Sequence, residues 1–153
     1  MNIKHCTKFI TFLFLFLIAH SSSFSKTIKL ELSEKKYGTS NVPIELIFPE
    51  NPIKKPIPLI ILQHGSTRDA GNISNGIVQT DVQMKKLSQA SLKNGFAVAI
   101  IDAFYKKNIK ASQKTKFPEA QVYAKQVASH LSKNSELDPN NFFYTGFSYG
   151  GHA

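Results

Sequence analysis

The chain has 153 residues, of which 42% are hydrophobic and 19% charged, with one cysteine and no tryptophan. This length suits one domain of ordinary size, and the composition excludes a collagen, a disulfide-rich scaffold and a wholly disordered chain. The net charge of +9 comes from lysines and a single arginine, Arg68. It argues against a nucleic-acid reader, because such proteins rely on arginine for bidentate contacts.

Residues 1–25 predict an export signal. Two lysines precede the apolar run Phe9–Ala19, and the small residues Ser23 and Ser25 follow it. A basic start, a short apolar middle and small residues at the −3 and −1 positions form the pattern that signal peptidase recognises. We therefore expect cleavage after Ser25, a mature domain of residues 26–153 without a membrane span, and a periplasmic or extracellular location. An uncleaved N-terminal anchor is the alternative.

Two strands are expected directly after the signal. Thr27–Leu32 and Pro43–Phe48 alternate apolar and polar residues, which is the period of a half-exposed strand. Ser33–Asn41 between them contains Gly38 and predicts a turn. These two strands are therefore expected to be antiparallel neighbours.

The pattern then changes to strands and helices in alternation. Pro58–Leu62, Ala97–Ile101 and Phe142–Thr145 are continuous apolar runs, typical of strands covered on both faces. Helices are predicted between them, over Asp81–Asn94 and Pro118–Lys133. Short connections of this kind produce a parallel sheet with right-handed crossovers. The predicted fold class is α/β, with a mostly parallel sheet and an antiparallel N-terminal strand pair.

Local signals predict how the helices begin, end and pack. Thr80 or Asp81 is expected to cap the first helix, Gly95 to follow its end, and Pro118 to lie in the first turn of the second. Asp138–Asn141 predicts a turn before the third covered strand. The apolar stripes that should face the sheet are Met84, Leu87 and Ala90 on the first helix, and Ala120, Ala124, Val127, Ala128 and Leu131 on the second.

The third covered strand leads directly into a G-x-S-x-G motif centred on Ser148. This motif is the nucleophile elbow, in which a sharp turn from strand to helix exposes the serine. Gly146 and Gly150 are required because strand and helix pass closely there, and Gly151 relaxes the turn further. The helix start also favours developing negative charge. The alternative is an ordinary glycine-rich turn with a solvated serine.

A second candidate element, Gln63–Ser66, follows the first covered strand. An acyl-transfer site needs two backbone N–H donors for the oxyanion, which we assign to Tyr149, after the nucleophile, and to Ser66, with Gly65 allowing close approach. His64 is expected to orient this loop rather than to act as the base, because the base follows the nucleophile in such hydrolases.

The remaining polar residues are weaker candidates. Asp102, at the end of a strand, is expected to bind a loop, and His130 to lie on the surface. His152 follows Ser148 too closely to accept its proton, and the polar segment 66–80 could border a pocket. A basic loop is either solvated or binds an anionic ligand or surface; its lysines are Lys106, Lys107, Lys110, Lys114 and Lys116.

Together these motifs resemble the dienelactone hydrolase-like family of α/β-hydrolases, over about residues 57–153. The resemblance is carried by His64-Gly65, Gly95–Val98, Asp102–Phe104, Asp138-Pro139 and Gly146–Gly151. It implies that Ser148 is the nucleophile and that Ser66 and Tyr149 supply the oxyanion-hole amides. Dienelactone hydrolases carry cysteine at the elbow, so the serine points to the broader group of secreted serine esterases.

The resemblance also implies an incomplete chain. The family places its acid and then its histidine after the nucleophile, whereas five residues without an acid follow Ser148. We therefore expect the N-terminal part of an α/β-hydrolase fold, with activity near background and an exposed apolar strand edge.

The expected function is that of a secreted serine hydrolase acting on small carboxylic esters or lactones through an acyl-Ser148 intermediate. No metal, organic cofactor or nucleic-acid partner is expected. The alternatives are a non-catalytic remnant or scaffold, and a secreted lipase or acyl-aminoacyl peptidase with the same elbow.

Overall fold

The computed structural model describes residues 24–66 and 82–152. Nearly all of the predicted export signal lies outside these residues. So do the helix-cap candidates Thr80 and Asp81, most of the polar segment 66–80, and the side chain of His152.

One mixed sheet of five strands forms the centre of the fold, in the order β1-β2-β4-β3-β5. β3 is parallel to both β4 and β5, whereas β2 is antiparallel to β1 and to β4. Four strands therefore run in one direction and β2 runs against them, which confirms the predicted α/β class and its antiparallel N-terminal pair. The strands are β1 (Ser25–Glu34), β2 (Gly38–Ile47), β3 (Ile57–Gln63), β4 (Ala97–Ile101) and β5 (Leu137–Gly146).

Two helices cover opposite faces of the sheet. α1 (Val82–Lys93) places Met84 against Leu62 and Val98, while α2 (Ala120–Leu131) packs on the other face with residues such as Ile61. Successive side chains of a strand point to opposite faces of the sheet. A strand with a continuous apolar run therefore packs against the helices on both faces. Short 3₁₀ helices cover Lys114–Lys116 and Ser148–His152.

The N-terminal hairpin is longer than its apolar pattern predicted. Glu34 pairs with Gly38, so only three residues form the turn, and Gly38 has a φ of +61°. Strand pairing uses backbone groups, and polar side chains that face solvent can therefore extend the ladder beyond the apolar run. Ser25 already pairs with Ile47.

β5 is also longer than predicted, because the predicted turn Asp138–Asn141 is an irregularity inside the strand. Leu137 pairs with Ile57 but Phe142 pairs with Leu59, so four residues of β5 lie opposite one residue of β3 and three of them are extra. Asp138 holds this bulge by accepting hydrogen bonds from Asn140 N–H at 3.1 Å and Lys54 Nζ at 2.6 Å. The hydrogen bond from Lys54 is the main cause that lowers the pKa of Asp138.

The prediction that β5 is covered on both faces was wrong for the described residues. Phe143 is 50% exposed and Thr145 is exposed, and within the described part of the chain β5 pairs only with β3. An apolar run indicates side chains that are stabilised by burial, but it does not show whether another element of the chain covers them.

The helix predictions were nearly right. Gly95, with a φ of +80°, follows the end of α1 as expected. Pro118 lies before α2 rather than in its first turn, because the helix begins only at Ala120. On α1, Ala90 is exposed and Ser88 is buried with Met84, since position 90 lies about 120° around the helix from position 84. The stripe on α2 is buried, with Ala128 partly so, and includes Tyr123.

Candidate active site

Ser148 lies at the turn between β5 and the last 3₁₀ helix, at the edge of the sheet where β3, β4 and β5 end. We call this the carboxyl edge; the strands end there at Gln63, Ile101 and Gly146. Ser148 is exposed and has a φ of +53°, in the left-handed region that non-glycine residues rarely adopt. Such strain persists only where the surroundings impose it.

The two motif glycines explain how the surroundings impose this turn. A Cβ on Gly146 would lie 2.4 Å from the Gly150 carbonyl oxygen, and a Cβ on Gly150 would lie 2.5 Å from the Gln63 carbonyl oxygen. Backbone therefore passes backbone with no room for a side chain. Gly151 is less constrained, because its nearest neighbour would be the Gly146 oxygen at 3.3 Å.

The turn is fixed to β3 by the backbone. Phe147 N–H donates to the Gln63 carbonyl at 3.3 Å, and Gly150 N–H donates to the Phe147 carbonyl at 3.0 Å. The loop after β3 also contacts the elbow, since a Cβ on Gly65 would lie 3.3 Å from Phe147 Cδ1 and 3.7 Å from Ser148 Cβ. The structure thus brings the two predicted elements together.

One predicted oxyanion donor adjoins Ser148 in the chain, and the other follows Gly65, which approaches Ser148. Tyr149 follows it at the start of the 3₁₀ helix, where the first N–H groups have no intrahelical acceptor. Ser66 follows Gly65 and is partly buried. That these two N–H groups form the oxyanion hole stays a prediction.

His64 is fully buried beside the elbow. Its Nδ1 lies 2.8 Å from the Gly65 carbonyl oxygen, and its Nε2 lies 4.0 Å from Oδ1 of the buried Asp102. The ring also packs edge-on against Phe104, with centroids 4.6 Å apart. The two ring nitrogens thus face the loop carbonyl and Asp102, and the role of His64 in orienting the loop stays a prediction.

Two tyrosine hydroxyls, which the sequence reasoning missed, tie the elbow to the rest of the domain. Tyr144 donates to the Gly150 carbonyl at 2.6 Å, and Tyr149 donates to the Pro118 carbonyl at 2.9 Å. Burial raises the pKa of Tyr144 to about 12 and raises that of Tyr149 further. Both phenols therefore remain protonated donors at neutral pH. Tyr144 lies within β5 and Tyr149 directly follows Ser148, and neither position gave a signal of these hydroxyl partners.

The other predicted candidates do not meet at Ser148. His130 is exposed near the end of α2, which leads into the start of β5 and therefore lies at the opposite edge of the sheet. No group of three or more His, Cys, Asp or Glu side chains that could hold a metal occurs within residues 24–66 and 82–152. No helix in the same part of the chain is long and apolar enough to cross a membrane.

Comparison with known families gives a match over most of the chain. The sequence profile of the BD-FAE family, which is of α/β-hydrolase type, matches residues 44–153. No curated protein sequence matches the chain. The profile match confirms the α/β-hydrolase resemblance that the motifs suggested.

Solved structures share the fold at low sequence identity. An S-formylglutathione hydrolase from Agrobacterium tumefaciens is 15% identical with a TM-score of 0.54, over 86% of this chain and 51% of its own. A CE15 glucuronoyl esterase from Teredinibacter turnerae is 14% identical with a TM-score of 0.54, over 87% and 37%. Carboxyl esterase 2 from Tuber melanosporum is 20% identical with a TM-score of 0.50, over 84% and 37%. The chain spans about half of the first structure and less of the other two.

Proposed function

The chain belongs to the BD-FAE family, and from this premise we propose that it carries the nucleophile and the oxyanion hole of an exported serine hydrolase of carboxylic esters. The observation that supports this most directly is the conformation of Ser148. An exposed serine with a φ of +53° is held between two glycines that have no space for a Cβ. A solvated serine in an ordinary turn has no need of this strain.

In the proposed reaction, Ser148 Oγ attacks the ester carbonyl and forms a tetrahedral intermediate. The N–H groups of Ser66 and Tyr149 donate to the oxyanion as charge develops on it. Collapse of the intermediate releases the alcohol and leaves an acyl-Ser148 ester. Water then attacks this ester and releases the acid, and the serine proton returns.

The attack also requires a general base that accepts the Ser148 proton. We assign this role to neither of the two histidines whose side chains the structure describes. The nitrogens of His64 face Gly65 and Asp102, and His130 lies at the opposite edge of the sheet. The proposed role of His64 is to hold the Gly65-Ser66 loop against the elbow, so that the Ser66 N–H points to the oxyanion.

The substrate is proposed only as a class, small carboxylic esters including lactones. Export is part of the proposal and is supported by residues 1–25, with their basic start, apolar run and serines at 23 and 25. N-terminal sequencing of the exported protein should find Lys26 as the first residue; retention of the apolar run would indicate an anchor.

The test is ester hydrolysis by the protein expressed from its complete gene. Ser148→Ala should lower kcat/KM for p-nitrophenyl acetate about a thousandfold or more. Ser129→Ala is the matched control, because Ser129 is an exposed serine on α2, and it should retain the full rate. Equal rates for the two variants would refute the proposal and leave a scaffold without this chemistry.

A further inference from the structure

A cavity lies on the carboxyl edge, over β1 and β2 rather than over the elbow. We call it the lysine pocket; it has a volume of about 480 Å³ and is lined by Lys29, Tyr37, Ser40, Asn41, Tyr105, Lys106 and Lys107. Within the described part of the chain, its lining contains three lysines and no acidic side chain. Three ammonium groups around one cavity repel one another unless an anion lies between them.

Lys107 is the unusual member, because it is a lysine with only 7% of its surface exposed. Its Nζ lies 3.5 Å from Ser40 Oγ and about equally far from two aromatic rings, 5.4 Å from the centroid of Tyr37 and 5.5 Å from that of Tyr123. Such faces attract an ammonium group but satisfy none of its three N–H donors as an oxygen atom does.

Among residues 24–66 and 82–152, no carboxylate neutralises Lys107 at close range. Burial lowers the pKa of its ammonium group, against the attraction of Glu34 and Asp102, which raises it. Neither carboxylate forms an ion pair with Nζ within 4 Å. Glu34 Oε1 accepts the Tyr37 N–H at 2.5 Å, and Oε2 has no hydrogen bond among the described residues. Burying an ammonium group without a close counter-ion costs free energy. An anion that enters the pocket should therefore be attracted by the charge of Lys107.

The backbone holds these lysines in place. Lys106 has a φ of +54°, a strained conformation for a residue other than glycine. Hydrogen-bonded turns flank it, with Lys107 N–H donating to the Phe104 carbonyl at 2.9 Å and Ile109 N–H donating to the Lys107 carbonyl at 2.6 Å. A loop of solvated lysines requires neither this strain nor this order.

We propose that the lysine pocket binds an anionic group, a carboxylate or a phosphate. The group accepts hydrogen bonds from the ammonium groups of Lys29, Lys106 and Lys107, and from Ser40 and Asn41. This site is separate from the proposed ester hydrolysis, since binding here does not involve Ser148.

The anionic group has two sources with the same chemistry, a free anion and the charged end of an elongated ester. β2 lies three strands from β5, and strands are about 4.8 Å apart, so the pocket and Ser148 are separated by roughly 14 Å along the carboxyl edge. An ester with a carboxylate at the far end of a long chain can span that distance.

The test is NMR titration of the isotope-labelled chain with inorganic phosphate, using sodium chloride at equal ionic strength as the reference. Saturable shifts are expected at the amides of Ser40, Asn41 and Lys106. The double variant Lys29→Gln/Lys106→Gln changes exposed side chains and should weaken binding about tenfold, because charge-assisted hydrogen bonds are lost. The matched control, Lys85→Gln/Lys86→Gln on the exposed side of α1, removes the same charge elsewhere.

Shifts that also occur with chloride, or that both double variants weaken equally, would overturn the proposal, because only diffuse attraction would remain. A second titration uses monomethyl dodecanedioate, whose carboxylate and ester lie at opposite ends of a chain long enough to match the separation between the pocket and Ser148. Shifts at the pocket alone support a free anion, and additional shifts at Gly146–Gly150 support an ester that spans both sites. Failure of ester hydrolysis would leave this result unchanged.

Discussion

Ser148 holds a backbone conformation that costs free energy, and the residues around it supply what maintains that conformation. The contacts that hold it are made by small groups: two glycines, backbone hydrogen bonds from Phe147 and Gly150, and the Tyr144 hydroxyl. A change of a single atom at these positions should therefore affect the elbow more than a larger change on its exposed side.

Gly150→Ala should destabilise the domain. Its Cβ would lie 2.5 Å from the Gln63 carbonyl oxygen, so the elbow or β3 must move, at a cost of about 1–3 kcal/mol in the free energy of unfolding. Gly151→Ala is the control, because its Cβ would approach only the Gly146 oxygen, at 3.3 Å. Urea unfolding followed by circular dichroism measures both. Equal midpoints would contradict the close packing described for the elbow.

Ser66→Pro should test the second oxyanion donor, because proline has no backbone N–H. In the protein from the complete gene, kcat should fall about a hundredfold or more, as for the loss of one oxyanion donor. Ser66→Ala retains the N–H group and should retain most of kcat. If the alanine variant loses as much activity as the proline variant, the hydroxyl rather than the amide is the important group. Circular dichroism must show that both variants fold.

At the scale of elements, strands within the core could be predicted more closely than strands at the margins of the sheet. β4 has the predicted bounds, Ala97–Ile101, because apolar side chains on both faces define every position in it. β1, β2 and β5 extend into polar residues, where backbone pairing continues without an apolar signal. The bulge at Asp138–Asn141 depends on Lys54, which is 84 residues away, so no local pattern could reveal it.

Tyr144 of β5 should make the stability of the domain depend on pH in the alkaline range. Burial raises the pKa of Tyr144 to about 12 from an ordinary value of 10.0. Between these values the unfolded chain loses the phenol proton while the folded chain retains it, so stability falls as pH rises from 10 towards 12. Tyr144→Phe has no phenol to ionise, so this loss of stability at high pH is absent. The variant also lacks the hydrogen bond to the Gly150 carbonyl, which stabilises the fold by about 1 kcal/mol.

The variant should therefore be less stable than the parent chain at neutral pH, and the difference should narrow above pH 10. Urea unfolding at several pH values measures it. The other buried tyrosines are present in both proteins and cancel in the comparison. A difference that stays constant or widens above pH 10 would contradict the account of Tyr144.

At the scale of the whole molecule, β5 presents an apolar surface. Phe143 is 50% exposed on one face, and on the other Phe142 and Tyr144 line a groove of about 340 Å³ with α2. Within the described residues β5 has one free side, and an apolar strand with a free side is a template for association.

Phe143→Lys should therefore reduce self-association of the purified chain, because a lysine on an edge strand opposes pairing with another strand. Val82→Lys is the control, since Val82 is 66% exposed but lies on α1, away from the edge. Analytical ultracentrifugation over a range of concentrations measures the association. Equal association of both variants would show that β5 is not the contact surface.

The candidate site divides into a part that the sequence could predict and a part that it could not. Ser148 and its glycines form a short contiguous motif that can be read from the sequence, although the neighbour that excludes a side chain at Gly150 is Gln63 of β3. The hydrogen bond from Tyr149 to Pro118 joins residues 31 apart, and the lysine pocket joins Lys107 to Ser40, 67 residues away. Such contacts arise from the strand order, which sequence patterns do not determine.

Trapping the covalent acyl-Ser148 intermediate shows directly whether this serine is the nucleophile. The protein from the complete gene would be mixed with p-nitrophenyl acetate, quenched in acid and analysed by peptide mass spectrometry. We expect one acetyl group on the peptide that contains Ser148, no such group in Ser148→Ala, and normal labelling in Ser129→Ala. An acetyl group on another residue of a protein that hydrolyses the ester, or full turnover by Ser148→Ala, would contradict the account.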